Sequence, residues 1–453
     1  MGEWNQARLY HEIVIPFSKV LESMEREGFY IDMEEFWDVK HVLLQKQREK
    51  EKEIRGIAGD TNLNSTQQLG KLLYDTLKIP DSYEDYVYDY KKEKWELAPF
   101  YLRTEKGARS TDVFSLNVIA AIHNNPLAKL ILEYRKLTKV LNTYINGMEE
   151  FITPDNRVHP DFFQLTAGGR LAISRPPLAQ LPSRTEEGRL IKKFFVAPKG
   201  YRLVEADWSA MELRWQAWVA EDSVMHPAFQ KGLDVHAITT QKLFDLSYEE
   251  AKADKKKRYI GKTINFTIIY GGSADSIQKT LLKDTGVFYD IKTCTKFVNT
   301  YFETYTGVVP LQNRVRDFIL DHQYIKNMWG RYRYFPGIKR KDVSRMESLE
   351  KRDYNSQVSN AMRQGMSHLI QSSSSGDYGA YKTIKIDQMF KEKYRGKGRF
   401  YMNLYDGMYC VIKEELVEEF TQDLKNLLEL PEEVCKIHIP VETSVGKSWY
   451  ELK

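Results

Sequence analysis

The sequence predicts an α+β fold, and three stretches carry that prediction. Arg202 to Arg214, RLVEADWSAMELR, passes from a short apolar strand at Leu203 to Ala206 into helix-suited residues from Trp208 onward. Phe400 to Ile412, FYMNLYDGMYCVI, sets two apolar and aromatic runs around Asp406-Gly407, a strong hairpin signal. Long helical patterns fill much of residues 8–58, 111–150 and 221–377.

At 453 residues the chain is long enough for about three structural units and a substantial core. A hydrophobic fraction of 42% with 13% aromatics fits a globular protein, and no apolar run approaches the ~20 residues needed to cross a bilayer. The start, MGEWNQARLYHE, is too polar for a secretory signal, and Gln6 stands where a myristoylation signal wants Ser or Thr. An intracellular protein without a membrane partner is expected, with cytoplasm, nucleoid, phage-infected cell and organelle all left open. Cys294, Cys410 and Cys435 are odd in number and unrelated in spacing, which argues against a disulfide framework or a zinc site and for buried free thiols.

The net charge is only +4, from 67 basic and 63 acidic residues, so any nucleic-acid footprint must come from clustering. Clusters occur at Lys252 to Arg258, Lys326 to Lys341 and Arg395 to Arg399. The middle one interleaves Trp329, Tyr332, Tyr334 and Phe335 with its arginines, a mixture suited to phosphates and stacked bases.

In chain order, Val14, Phe17, Val20, Leu21 and Met24 recur at helical spacing before Gly28 to Asp32 interrupts the pattern. The charged run Gln45 to Arg55 reads as one exposed helix face. Ser65 caps a helix through Leu77 that stops before Pro80. Asp81 to Arg103 carries Tyr83, Tyr86, Tyr88, Tyr90 and Trp95 among acids; it reads as a surface excursion, with a docking site for another protein as the sharper alternative. Pro154-Asp155-Asn156 marks a turn, Val158 to Leu165 a strand, and Gly168-Gly169-Arg170 a kink before an extended segment rich in proline. Ser372 to Gly376, SSSSG, fits either a flexible linker or a tight helix contact. Ile437 to Val445 reads as a further strand.

Asp207 sits where its strand meets a helix, held by a rigid element and available to a divalent cation. Alone it is ordinary turn chemistry, and so is Asp406 in its hairpin. Between them, Arg258, Lys262, Phe266 and Tyr270 recur every four residues. Steps of four rotate about 400° around a helix axis, so two cations and two aromatics share one drifting stripe, closed by Gly271-Gly272. That face suits a triphosphate carrying a base.

DWSAMELR at 207–214, RYIGKTINFTIIYG at 258–271 and LYDG at 404–407 resemble, in order and spacing, the three polymerase motifs of family A, the DNA polymerase I type. NLNSTQQL at 62–69, ILEYRKLTKVLNTY at 131–144, GGRLAIS at 168–174, RTEEGRLIKKFFVAPKGY at 184–201, WGRYRYFP at 329–336 and the closing VETSVGKSWYELK are similar to the family's flanks. The resemblance runs from about residue 8 to the end, and a polymerase unit without a proofreading exonuclease domain is expected. It implies a right-hand architecture with an antiparallel-sheet palm, helical fingers and a helical thumb: 1–34 palm base, 35–155 thumb, 156–219 palm, 220–380 fingers and adjoining palm helix, 381–453 palm.

The implied activity is template-directed addition of deoxynucleotides to a primer 3'-hydroxyl with release of pyrophosphate. Asp207, Asp406 and the Trp208 carbonyl would hold two Mg2+ ions, with Mn2+ able to substitute. Lys262 and Arg258 would grip the triphosphate with His236, Phe266 would pack by the incoming sugar and base, and Tyr270 would lie by the templating base. Glu212 would crowd the 2' position. Arg170 and Gln371 would probe the minor groove at the primer end, while Arg363 and Tyr405 would also meet DNA. Phenylalanine at 266 implies discrimination against dideoxynucleotides. Primer-template DNA and dNTPs are the implied partners, a processivity factor at 81–103 is a further one, and a monomer is expected.

The sequence departs from the family pattern at three places. Tyr405-Asp406-Gly407 replaces His-Asp-Glu, Ala210-Met211 replaces Gln-Ile, and Ala179-Gln180-Leu181-Pro182 replaces Gln-Asn-Ile-Pro. These changes remove polar contacts near the primer end and keep both aspartates, predicting weaker primer grip or altered fidelity. A non-catalytic primer-template-binding protein derived from a polymerase is the alternative that Tyr405 and Gly407 raise; a metal nuclease would leave Arg258 and Lys262 without a role.

Overall fold

The computed structural model describes residues 4–182, 185–432, 434 and 437–452. Its packing divides the chain into two units, each built from separated stretches: Met1–His41, Val140–His226 and Gly307–Lys453 form one, Val42–Lys139 and Pro227–Thr306 the other.

The first unit is built on a four-stranded antiparallel sheet of β1 (Tyr201–Trp208), β2 (Gly398–Leu404), β3 (Gly407–Lys413) and β4 (Val441–Gly446), in the order β2-β3-β1-β4. β1 lies inside the sheet and Leu203, Val204 and Ala206 are buried, which suits its apolar run. One carboxylate is buried with them. Glu205 accepts from the Tyr409 hydroxyl at 2.6 Å and the Ser444 hydroxyl at 3.0 Å, its register partners on β3 and β4, so its charge is hydrogen-bonded inside the sheet. The helix Val417–Glu429 buries Phe420, Leu424 and Leu428, every fourth residue, as it packs along β1 and β4. Helix Gly379–Glu392 packs between β2 and the helix Ile15–Glu27, whose Phe17, Val20, Leu21 and Met24 are the apolar stripe read from the sequence.

Ser372 to Gly376 lies inside a continuous helical run, within the wide-turn segment His368–Tyr378, and Ser372, Ser373 and Ser374 have no exposed surface. The linker alternative is overturned. Small residues are needed there because the backbone of Gly169 lies against them: a Cβ on Gly376 would meet the Gly169 carbonyl at 2.8 Å.

In the second unit, Leu69, Leu73, Leu116, Ile119 and Ile131 form a helical core that Leu282 joins. Ser65 caps its helix as expected, accepting from the Gln68 amide. The segment read as a surface excursion is an antiparallel hairpin, Ser82–Asp89 with Lys94–Tyr101, in which Tyr90, Leu97 and Tyr101 are exposed. Its anchor is Asp85, 3% exposed, whose carboxylate accepts from Gln278 Nε2 at 2.6 Å and the Ile291 amide at 2.9 Å. Tyr86, Tyr88 and Trp95 then share the other face, a period of two that the tyrosine spacing already contained. Cys294 and Cys410 are buried and free, and Cys435 lies outside the described residues. Among the described residues, no helix is long and apolar enough to cross a membrane.

Candidate active site

The candidate residues fall into two groups, one in each unit. In the first, Asp207 lies near the end of β1 with Gly407 of β3 and Glu442 of β4 as its register partners. Asp406 precedes Gly407 in the turn Tyr405–Asp406, and its carbonyl accepts from the Trp208 amide at 3.2 Å. Strand pairing therefore sets the two aspartates, far apart in sequence, at the same end of adjacent strands. Trp208 itself is buried, its indole donating to the Leu428 carbonyl.

Glu212 sits in the first turn of the helix Met211–Val219 and is 9% exposed. Burial pushes its carboxyl above the ordinary value and the Asp406 charge adds to this, while an ion pair with Arg170 opposes both. Arg170 is held from three sides: by Glu212, by Ser375 Oγ at 3.0 Å, and by the Tyr405 ring, 5.4 Å below its guanidinium. Gln371 and Arg363 lie on one helical run, where Gln371 accepts from the Ser367 hydroxyl and Arg363 donates to Ser359. Arg331 and Trp329 from the basic aromatic cluster face inward. Arg331 makes a two-pronged pair with the buried Asp377, and the Trp329 indole donates to the Ser373 carbonyl.

In the second unit, Arg258, Lys262 and Phe266 lie on the helix Lys255–Ile269, capped by Asp254, and Tyr270 takes the C-terminal cap position before Gly271 in the left-handed region. Lys262 Nζ stands 5.9 Å from the Phe266 ring centre. His236, in the first turn of Val235–Phe244, has its ring 5.7 Å from that of Phe266.

Two residues here escaped the sequence reading. Asp234 caps the His236 helix through one oxygen and takes Arg258 Nε at 2.5 Å with the other. Burial raises its carboxyl, but the Arg258 hydrogen bond and charge outweigh that and hold it below the ordinary range. Asn265 is fully buried, and its amide nitrogen lies 2.9 Å from His236 Nδ1. The Thr239 hydroxyl lies 2.7 Å from Asn265 Oδ1 and 2.9 Å from the Val235 carbonyl. With the amide nitrogen facing it, Nδ1 accepts, and the proton of the neutral ring is then on Nε2. Burial pushes His236 down to about 4; Asp234 opposes that and Lys262 and Arg258 reinforce it. The cap residue before a helix and the polar residue three after Lys262 were legible signals; their partners were not.

Among the described residues, no group of three or more His, Cys, Asp or Glu side chains is placed to hold a metal ion. The two aspartates at the sheet end offer hard carboxylate oxygens, which would suit a cation such as Mg2+ that keeps water and phosphate oxygens in its shell.

A family model described as DNA polymerase family A matches residues 33–451. DNA polymerase I of Helicobacter pylori strain 26695 is 32% identical over 456 residues, covering 100% of this chain and 45% of that protein. The thermostable DNA polymerase I of Thermus filiformis is 30% identical over 451 residues, covering 98% of this chain and 48% of the relative. The chain thus spans about half the length of the curated relatives it matches. A solved structure described as the POL domain of Pol1 from M. smegmatis in complex with DNA primer-template and dNTP shares the fold, with a TM-score of 0.82 at 24% identity over 98% of this chain and 71% of that one.

Proposed function

The chain belongs to DNA polymerase family A, and on that premise we propose that it extends a DNA primer by template-directed transfer of deoxynucleotides, releasing pyrophosphate. The observation that carries the reading is the pairing of β1 with the Tyr405–Asp406 hairpin, which sets Asp207 beside Asp406 at one sheet end. A pair held by a strand end and the adjoining tight hairpin turn keeps its spacing when substrate arrives, as transfer of a phosphoryl group needs.

In this reading the palm takes 1–34, 156–219 and 381–453, the thumb 35–155, and the fingers with an adjoining palm helix 220–380. Asp207 and Asp406, with the Trp208 carbonyl, would hold two divalent cations, Mg2+ or Mn2+. Bound there, they would supply positive charge that acidifies the primer hydroxyl and neutralises the leaving pyrophosphate. Arg258 and Lys262 bind the triphosphate as point charges and a planar fork. His236 joins them as a neutral donor through Nε2, the tautomer it has when the Asn265 amide nitrogen donates to Nδ1. Phe266 packs against sugar and base, Tyr270 lies by the template, and Glu212 excludes a 2'-hydroxyl. Arg170, Gln371 and Arg363 meet the duplex.

Primer extension with Mg2+ and dNTPs tests this. The parent chain extends, and Asp207→Asn and Asp406→Asn each reduce extension by at least about 10³-fold while still binding primer-template. Extension that survives either change would sink the assignment, and binding without incorporation by the parent would favour a non-catalytic duplex binder.

A further inference from the structure

Two of the departures from the family pattern touch each other within the first unit. Tyr405 stands where the pattern has a primer-contacting histidine, and Ala179 where it has glutamine; the Tyr405 hydroxyl donates to the Ala179 carbonyl at 2.7 Å. Tyr144 donates to the next carbonyl, Gln180, at 2.6 Å, so two phenols pin the short turn Leu178–Gln180. The Tyr405 ring lies under the Arg170 guanidinium, which Ser375 and Glu212 hold from its other sides.

The backbone adds a second observation. Tyr405 has φ +60, the left-handed region, in a hairpin turn where glycine, asparagine or aspartate would sit with less strain. A bulky residue kept there is held by what its side chain does. Both ends of that side chain are engaged with the protein.

We propose that Tyr405 is a positioning residue that fixes Arg170 against the primer end, in place of a residue that contacts the primer itself. The phenol is anchored at its tip, and its ring face offers the guanidinium a cation–π seat. Arg170 then reads the minor-groove acceptors of the primer's terminal pair from a preset position, and any change at Tyr405 acts through Arg170. This rests on the polymerase reading above.

The test is a double-mutant cycle on primer-template affinity, measured by fluorescence anisotropy with the whole chain and no nucleotide. Arg170→Ala and Tyr405→Leu are each expected to weaken binding about fivefold, and the double variant to bind within about twofold of Arg170→Ala alone. Tyr405→Phe, which keeps the ring and loses the hydroxyl, recovers the greater part of the Tyr405→Leu loss. Losses that multiply, to about 25-fold in the double variant, would overturn the proposal, because Tyr405 would then act without Arg170. Thermal melts check each variant; should Tyr405→Leu not fold, Tyr405→Asn, which has no ring and suits the left-handed backbone, replaces it in the cycle. A parent that neither binds nor extends primer-template overturns the polymerase reading and this inference with it. A parent that extends while the losses multiply leaves the reading standing and removes the inference alone.

Discussion

Asn265→Asp exchanges the group facing His236 Nδ1 from a donor to an acceptor at almost constant volume, and the structure gives the size of the effect. Burial holds His236 at about 4 against an ordinary 6.5, a bias of ~3 kcal/mol against the imidazolium. A carboxylate at the amide's place, 2.9 Å from Nδ1, attracts an imidazolium by roughly 6 kcal/mol at an effective dielectric of about 20, before its own desolvation. The attraction is the larger number, so His236 in the variant is expected to titrate at or above its ordinary value. Nitrogen-15 spectra of the histidine rings read this directly, apart from any activity. The parent should show a neutral ring protonated on Nε2 at pH 7, and the variant an imidazolium in slightly acidic solution. The linked stability changes sign as well. In the parent the folded value is depressed, so stability is lost as pH falls from about 6.5 toward 4; in the variant it is raised, so the added stability is present below about 6.5 and lost as pH rises through the folded value. A parent ring protonated on Nδ1, or a variant His236 still titrating below about pH 5, would refute the reasoning.

Two further outcomes follow from burial and close packing. His368 is also pushed down to about 4, by burial first, with its ring 2.9 Å from the Arg331 carbonyl. With His236 it predicts a parent less stable at pH 5 than at pH 7.5 by roughly 2 kcal/mol for each ring, and His368→Gln, which cannot charge, should remove about half of that difference in thermal melts. Gly261 lies where the helices Val235–Phe244 and Lys255–Ile269 meet: a Cβ there would stand 2.8 Å from the His236 carbonyl and 2.3 Å from Thr240 Oγ1. Gly261→Ala gains ~1 kcal/mol of helix propensity and loses up to ~3 to overpacking, for a net destabilisation of about 1–2 kcal/mol by denaturant titration; a stabilised variant would mean the two helices separate freely.

Local pattern exposed the strand before Asp207, the hairpin around Asp406 and the stripe from Arg258 to Phe266, because each is a short-range signal with a fixed period. It failed where one residue has two local readings and a distant partner decides between them. Four serines and a glycine fit a linker or a tight helix contact until Gly169, some 200 residues earlier in the chain, lies against them and requires small side chains. Tyrosines among acids read as a surface excursion, and only the fold shows that Asp85 anchors it to Gln278 and Ile291.

The same rule governs the candidate site. Asp207 and Lys262 are legible as candidates because their own neighbours in sequence place them on rigid elements, and Glu212 only through the resemblance to the family motif. Asp234, Asn265 and Ser375 set orientation and tautomer, and their sequence contexts are those of an ordinary helix cap, a helix interior and a serine run. Only the fold brings them to Arg258, His236 and Arg170. Tyr405 joins both classes. Its departure from the family pattern is visible in sequence, where it reads as a lost contact to the primer, but in the structure the same side chain carries two contacts to the protein. A substitution at a site is therefore half described by what it takes away, and the other half is the partner that the fold supplies.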